Sequence, residues 1–196
     1  MTGRLGILSD THGSLYAWEA AQKLWGEVEG VLHAGDVLYA NQNRSLPPGF
    51  APEALAAALN ACPVPLLVAR GNCDSAADEA KLRWPLGAVV SVWWRGRLIL
   101  VEHGEDFSAF RDRALGCGAT LAISGHTHVG SLVRERGTIF LNPGSSSLPL
   151  GRDPASVALA DDGGISIVTL AGVVLHRERW NGDSCEVGTS SGTMVP

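Results

Sequence analysis

Five short segments carry residue types that bind cations: Asp10-Thr11-His12, Gly35-Asp36, Gly71-Asn72, His103-Gly104 and Gly125-His126-Thr127-His128. Aspartate supplies hard anionic oxygen, asparagine a neutral oxygen, and histidine a nitrogen of borderline softness. The ligand candidates are Asp10, His12, Asp36, Asn72, His103, His126 and His128. They outnumber what one tetrahedral zinc takes. They suit two divalent ions that share one carboxylate and each keep an open position. Mixed oxygen and nitrogen ligation favours Mn²⁺, Fe²⁺ or Zn²⁺ over Mg²⁺ or Ca²⁺. Formal charge agrees: two such ions with Asp10 and Asp36 leave a surplus that one hydroxide and one phosphodiester anion would neutralise. The chemistry that follows is a metal-held water, acidified toward neutrality, attacking phosphorus in line.

Each segment alone is a weak signal, because a lone Gly-Asp is usually a turn. The ordered set is strong. It takes up four of the chain's 6 histidines. Each segment also follows a strand-like run, and loops at the carboxyl ends of strands converge on one crevice. The strand-like runs are Arg4–Ser9, Val31–His33 and Val64–Ala69, then Arg97–Glu102 and Leu121–Ser124. Helical spacing over Ser14–Trp25, with Ser14 as N-cap, and over the Ala-rich Pro52–Asn60 makes the first part a parallel βαβ pattern. A loop from Tyr39 to Ala51 separates Asp36 from the second helix and is long enough to serve a site.

The second part is richer in strands. Gly87–Trp94 and Arg97–Glu102 flank Arg95-Gly96 as a hairpin. Phe107–Leu115 reads as a helix. Gly130–Arg134, Thr138–Leu141, Ser156–Ala160, Ile165–Leu170 and Val173–Arg179 read as strands. The expected fold is an α/β sandwich of two β sheets face to face with helices outside, four layers in all. Residues 1–180 are expected to be one domain, and residues 181–196, rich in Gly, Ser and Thr, a flexible tail.

Composition sets the outer bounds. With 45% hydrophobic and 18% charged residues in 196, the chain can build a sizeable core. A net charge of −5 without a basic stripe argues against stable nucleic-acid binding. A small phosphate ester remains a suitable substrate, with metal as the natural source of positive charge. Cys62, Cys73, Cys117 and Cys185 are scattered, with neither zinc-ribbon nor disulfide spacing. Reduced thiols, no export signal at the start and no apolar run long enough for a membrane span give a cytoplasmic expectation.

Together with Cys73-Asp74, Leu46-Pro47-Pro48-Gly49-Phe50 and Asn142-Pro143-Gly144-Ser145, the five segments resemble the calcineurin-like metallophosphoesterases, and among them the small bacterial YfcE-type phosphodiesterases. The resemblance runs from about Leu5 to Leu170. It implies a two-sheet sandwich flanked by helices and a dinuclear centre. Asp10, His12, Asp36 and His128 would hold the first ion. Asp36, Asn72, His103 and His126 would hold the second, with Asp36 as the bridge. Manganese is the metal it points to first, with iron, zinc or nickel as alternatives. Asp36, Asn72 and His126 are the catalytic candidates.

Two positions depart from relatives. Many that cleave phosphomonoesters have a histidine where this chain has Cys73. A thiol protonates an alkoxide poorly, so diesters with good leaving groups are favoured. Close relatives often have a histidine where this chain has Glu105, a carboxylate that either orients a site histidine or repels an anionic substrate.

Other residues are weighed against plainer roles. Asn41, Asn43, Arg44 and Cys73 are candidates for substrate contact, against a merely solvated loop for the first three. His33 is expected to be a buried, hydrogen-bonded strand end, and His176 a surface residue. Arg70 either touches phosphate or pairs with a carboxylate, and Asn142-Pro143-Gly144 is a tight turn. The tryptophans, Trp93-Trp94 included, are expected in the core or at a contact between copies of the chain, so a homo-oligomer stays open. Two alternatives to the phosphodiesterase reading remain: a phosphomonoesterase or nucleotidase, and a non-catalytic scaffold of the same fold that binds partner proteins.

Overall fold

A computed structural model of the chain describes residues 3–39 and 45–181. Its elements, in order, are β1 (Leu5–Leu8), α1 (Leu15–Trp25), β2 (Gly30–His33), α2 (Pro52–Asn60), β3 (Leu66–Ala69), α3 (Ala76–Glu79) and β4 (Leu86–Gly87). There follow β5 (Val90–Trp94), β6 (Arg97–Val101), α4 (Phe107–Gly116), β7 (Leu121–Ile123), β8 (Gly130–Glu135) and β9 (Thr138–Pro143). The last three are β10 (Ser156–Ala160), β11 (Gly164–Thr169) and β12 (Val174–Arg179).

The strands form two sheets. One has seven strands in the order β12-β11-β10-β1-β2-β3-β4. Its β1 to β4 are parallel, linked by helical crossovers, while β10 to β12 are antiparallel additions on the other side of β1. The other has five strands in the order β5-β6-β7-β9-β8, with β6, β7 and β9 parallel.

Alternation along the strands sorts the side chains. Ile7, Leu32 and Ala69 from the seven-stranded sheet meet Ile99, Val101, Ile123 and Leu141 from the five-stranded one in the central core. Leu8, Val31, Leu66 and Val68 point the other way, against Trp18 and Trp25 of α1 and Leu55 and Leu59 of α2. Phe110 and Ala114 of α4 cover Leu100, Ala122 and Phe140 on the outer face of the smaller sheet. Each fully buried side chain of this size stabilises the fold by about 2 kcal/mol relative to exposure. The result is the expected four layers, helix/sheet/sheet/helix.

Local signals match the elements. Ser14 caps α1 by accepting from the Ala17 N–H, which uses one of the unpaired donors of the first turn. Arg95-Gly96 turns the β5–β6 hairpin with both residues at positive φ, 50° and 76°, the backbone that a tight right-twisted hairpin needs. Two elements escape a pattern-based reading: the four-residue α3 and the two-residue β4. Both are shorter than the windows over which periodicity accumulates. Ser75 and Asp78 nevertheless cap α3 reciprocally.

Among the described residues no helix is long and apolar enough to cross a membrane. Four tryptophans, Trp18, Trp25, Trp94 and Trp180, are buried, whereas Trp93 is 74% exposed on the edge strand β5. His176 is exposed on β12. The expected tail falls outside the described residues from position 182 onward.

Candidate metal centre

The loops after β1, β2, β3, β6 and β7 meet above the ends of both sheets, not in the crevice of one. The loops after β1 and β2 run side by side, with Asp10 N–H donating to Gly35 O (3.0 Å) and His12 N–H to Asp36 O (3.0 Å). Five candidate ligands sit in the left-handed region: Asp10 (φ 54°), His12 (45°), Asp36 (57°), His126 (68°) and His128 (59°). Outside glycine this conformation costs about 1 kcal/mol per residue and clusters at functional sites. The sharp reversals aim successive side chains into one volume. Gly71 is required by close approach, because a Cβ there would lie 2.1 Å from Asp36 Oδ1.

Two groups of ligand atoms result. Asp10 Oδ1 lies 3.2 Å from His128 Nε2 and 3.8 Å from His12 Nε2. On the other side, Asn72 Oδ1 is 3.0 Å from both His103 Nε2 and His126 Nδ1. The Asp36 carboxylate stands between the groups: its Oδ2 is 3.5 Å from His103 Nε2 and 3.8 Å from His12 Nε2. Asp10, His12, Asp36 and His103 are buried, while Asn72 and His126 are exposed at the mouth. The cavity in front measures about 220 Å³ and is lined by His12, Asp36, Asn72, Cys73, His126 and His128, with Tyr39, Ser45 and Leu148 at its edge.

Ring orientation is fixed from behind. The Nδ1 atoms of His12, His103 and His128 donate to the carbonyls of Tyr39 (2.7 Å), Ala34 (2.7 Å) and Leu148 (2.6 Å). Each Nε2 is thereby turned into the site, the tautomer a cation needs. The donor set fits divalent cations in a second respect. Asp10 Oδ1 is fully buried and has no hydrogen-bond partner, a state that is costly for an anionic oxygen.

The charges say the same. Burial alone would push Asp36 up, but hydrogen bonding to and the charge of His103, with the Cys73 N–H at 2.9 Å, hold it well below the usual carboxylate range. Burial would push His103 down, but the Asp36 carboxylate outweighs it and lifts the imidazole to about 9. His128 is likewise raised, its burial outweighed by Asp10. Both shifts have the same physical cause, the carboxylates of Asp36 and Asp10, which favour positive charge in each group of ligands, as they would favour a bound cation.

Several partners behind the ligands are not evident from residue type. Asp74 accepts from the N–H groups of Asp36 (2.9 Å), Gly71 (2.8 Å) and Val37 (2.8 Å). It therefore ties the Asp36 and Asn72 loops together. Asn142 does more than make a turn: its amide donates to Gly125 O (2.6 Å) and Thr127 Oγ1 (3.0 Å), bracing the loop of His126 and His128. Ser145 and Ser147 donate to Asp10 O at 2.8 and 2.9 Å. Asp74, Asn142 and Ser145 lie in segments that carry the family resemblance, but their residue types do not say which backbone groups they brace.

The remaining expectations divide. His33 is buried, as expected: its Nδ1 accepts from Gly35 N–H (3.1 Å) and its Nε2 meets Thr11 Oγ1 (3.0 Å). Burial lowers it to about 4, so it stays neutral. Arg70 pairs with Glu79, the plainer of its two readings. Cys73 lines the cavity half-buried, and burial with the Asp36 and Asp74 carboxylates pushes its thiol up to about 12. Glu105 does not orient His103, whose two ring nitrogens face Ala34 O and Asn72. It is exposed and lines an adjoining depression with Arg70, Glu102 and Arg113, of which His103 also forms part of the wall. Asn41, Asn43 and Arg44 lie outside the described residues.

Residues 4–162 match the calcineurin-like phosphoesterase superfamily domain, and the chain belongs to that superfamily. It is a metal-dependent phosphoesterase. It is 35% identical over 171 residues to phosphodiesterase YfcE of Escherichia coli K12, covering 85% of this chain and 92% of that one. It also superimposes on the solved structure of the Escherichia coli phosphoesterase YfcE with a TM-score of 0.78 at 28% identity, over 91% of this chain and all of the other. Vacuolar protein sorting 29 from Cryptosporidium parvum shares the fold alone, with a TM-score of 0.60 at 17% identity over 85% of this chain and 89% of that one.

Proposed function

We propose that the chain hydrolyses small phosphodiesters at a dinuclear centre. Asp10, His12, Asp36 and His128 hold one divalent ion. Asp36, Asn72, His103 and His126 hold the other, and manganese is the first choice of metal. The observation that carries this reading is the Asp36 carboxylate, placed between His12 on one side and His103 on the other. When bound, the ions supply Lewis-acid neutralisation of phosphoryl oxygens and a water acidified toward neutral pH.

The chain's own residues do the rest. Asp36 keeps the two groups at a fixed separation. Asn72 and His126, exposed at the mouth, meet the phosphate first and align it. The carbonyls behind His12, His103 and His128 hold the rings against rotation. Cys73 stands where a proton donor to the leaving group would be needed, and a thiol serves that role poorly. Diesters with already good leaving groups are therefore favoured over monoesters. The 220 Å³ cavity in front of the ligands supports a small ester as the substrate.

The scaffold reading draws on the fold shared with vacuolar protein sorting 29. Competent ligands at Asp10, His12, Asp36, Asn72, His103, His126 and His128 weigh against it. We read residues 1–180 as one domain that carries the whole site. Free Cys62, Cys73 and Cys117 fit the reducing cytoplasm.

Protein stripped with a chelator should lose turnover of an aryl phosphodiester and regain it with Mn²⁺, and calorimetry should count two ions per chain. Uptake of one ion or none, with no recovery of activity, would sink the dinuclear reading. Turnover of the matched aryl monoester above that of the diester would favour the phosphomonoesterase.

A further inference from the structure

We propose that the Cys73 thiol is itself a cation ligand, completing with His12 and Asp36 a third set that selects soft divalent ions such as Zn²⁺ or Cd²⁺. This rests on the metal-centre reading above and adds to it a sulfur ligand. A ring nitrogen of His12, a carboxylate oxygen of Asp36 and Sγ of Cys73 lie within 4.8 Å of one another. That is the spacing at which three ligands can share one ion. All three line the same cavity.

The thiol is held in place. The Cys73 N–H donates to Asp36 Oδ1 (2.9 Å), which ties its backbone to the carboxylate proposed as the bridge. Asn72 Nδ2 donates to Sγ at 3.4 Å, while the same amide turns its Oδ1 toward His103 and His126. A sulfur that accepts from Asn72 keeps further lone pairs for a cation.

Ligand softness decides which ions use the set. Manganese prefers the oxygen and nitrogen ligands of the two groups already described, whereas zinc and cadmium gain from thiolate. Binding forms a sulfur–metal bond and releases the thiol proton to solvent, with no change of oxidation state. The set borrows His12 and Asp36 from the catalytic arrangement. A soft ion held there would use two ligands of the manganese arrangement and so compete with it.

The test is a Cd²⁺ titration of the full, metal-stripped chain. The thiolate-to-cadmium charge-transfer absorbance is followed, and calorimetry in parallel counts bound ions. Wild type and Cys117→Ser should develop the band with the first equivalents of Cd²⁺. Cys73→Ser and Cys73→Ala should bind Cd²⁺ without it. A band that persists in both Cys73 variants assigns the sulfur elsewhere and overturns the proposal. So does wild-type uptake of Cd²⁺ with no band, which leaves the oxygen and nitrogen centre intact. No uptake of Cd²⁺ or Mn²⁺ by any variant removes the metal-centre reading and this inference together.

Discussion

His33 stands beside the centre and faces away from it. Its imidazole is neutral because burial lowers it from the ordinary 6.5 to about 4, while its two nitrogens serve Gly35 and Thr11. Between those values the unfolded chain binds a proton that the folded chain does not. Stability from this residue is therefore complete above pH 6.5 and declines as the pH falls toward 4, by about 3 kcal/mol in all. Urea unfolding of the metal-free protein across this range should show the decline. His33→Asn, whose amide oxygen can still accept from Gly35, should flatten it. An unchanged acid slope in that variant would show that other groups cause it. Asp36 answers to a different readout. Asp36→Ala should leave the fold, reduce the count of bound ions, and lower phosphodiester turnover by at least a thousandfold, roughly 4 kcal/mol of transition-state stabilisation.

At the scale of elements, the site is made by loops that strands deliver and buried polar side chains tie down. Asp74 is the main tie between the loops after β2 and β3. Its carboxylate satisfies three backbone N–H groups, of Asp36, Val37 and Gly71. Asp74→Ala leaves those donors unpaired and should cost about 3 kcal/mol or more of unfolding free energy. It should also weaken Mn²⁺ binding, although Asp74 is no ligand. Asp74→Asn keeps one acceptor oxygen and should fall between the two. Denaturation midpoints and Mn²⁺ calorimetry on the three proteins check the order. The tie was legible only as a letter following Asn72-Cys73. No sequence pattern says that a carboxylate will turn back to a loop 38 residues earlier.

Across the whole molecule, two sheets bring distant ligands together and two outer helical layers hold the sheets. Because the ions bind the folded chain, they should stabilise it. Mn²⁺ at about a hundred times its dissociation constant adds about 2.7 kcal/mol for each independent site. Melting of stripped and reloaded protein measures this directly, and a midpoint indifferent to Mn²⁺ would contradict it. The α4 layer, by contrast, is remote from the chemistry. Phe110→Ala should cost about 3–5 kcal/mol by opening a cavity under α4. It should leave turnover per folded molecule unchanged, since Phe110 packs on the outer face of the smaller sheet.

Periodicity and turn chemistry set out most strands and the three longer helices, because side-chain alternation and capping are local properties. The five ligand-bearing segments were equally plain, since residue type is the chemistry. Neither could say that the segments straddle two sheets. Neither could give the left-handed backbone at Asp10, His12, Asp36, His126 and His128, which an isolated chain would avoid. Nor could they foresee the buried supports at Asp74, Asn142 and Ser145. These depend on contacts between residues far apart in the chain, and such contacts exist only once packing has made a strained backbone and a buried carboxylate cheaper to keep than to release.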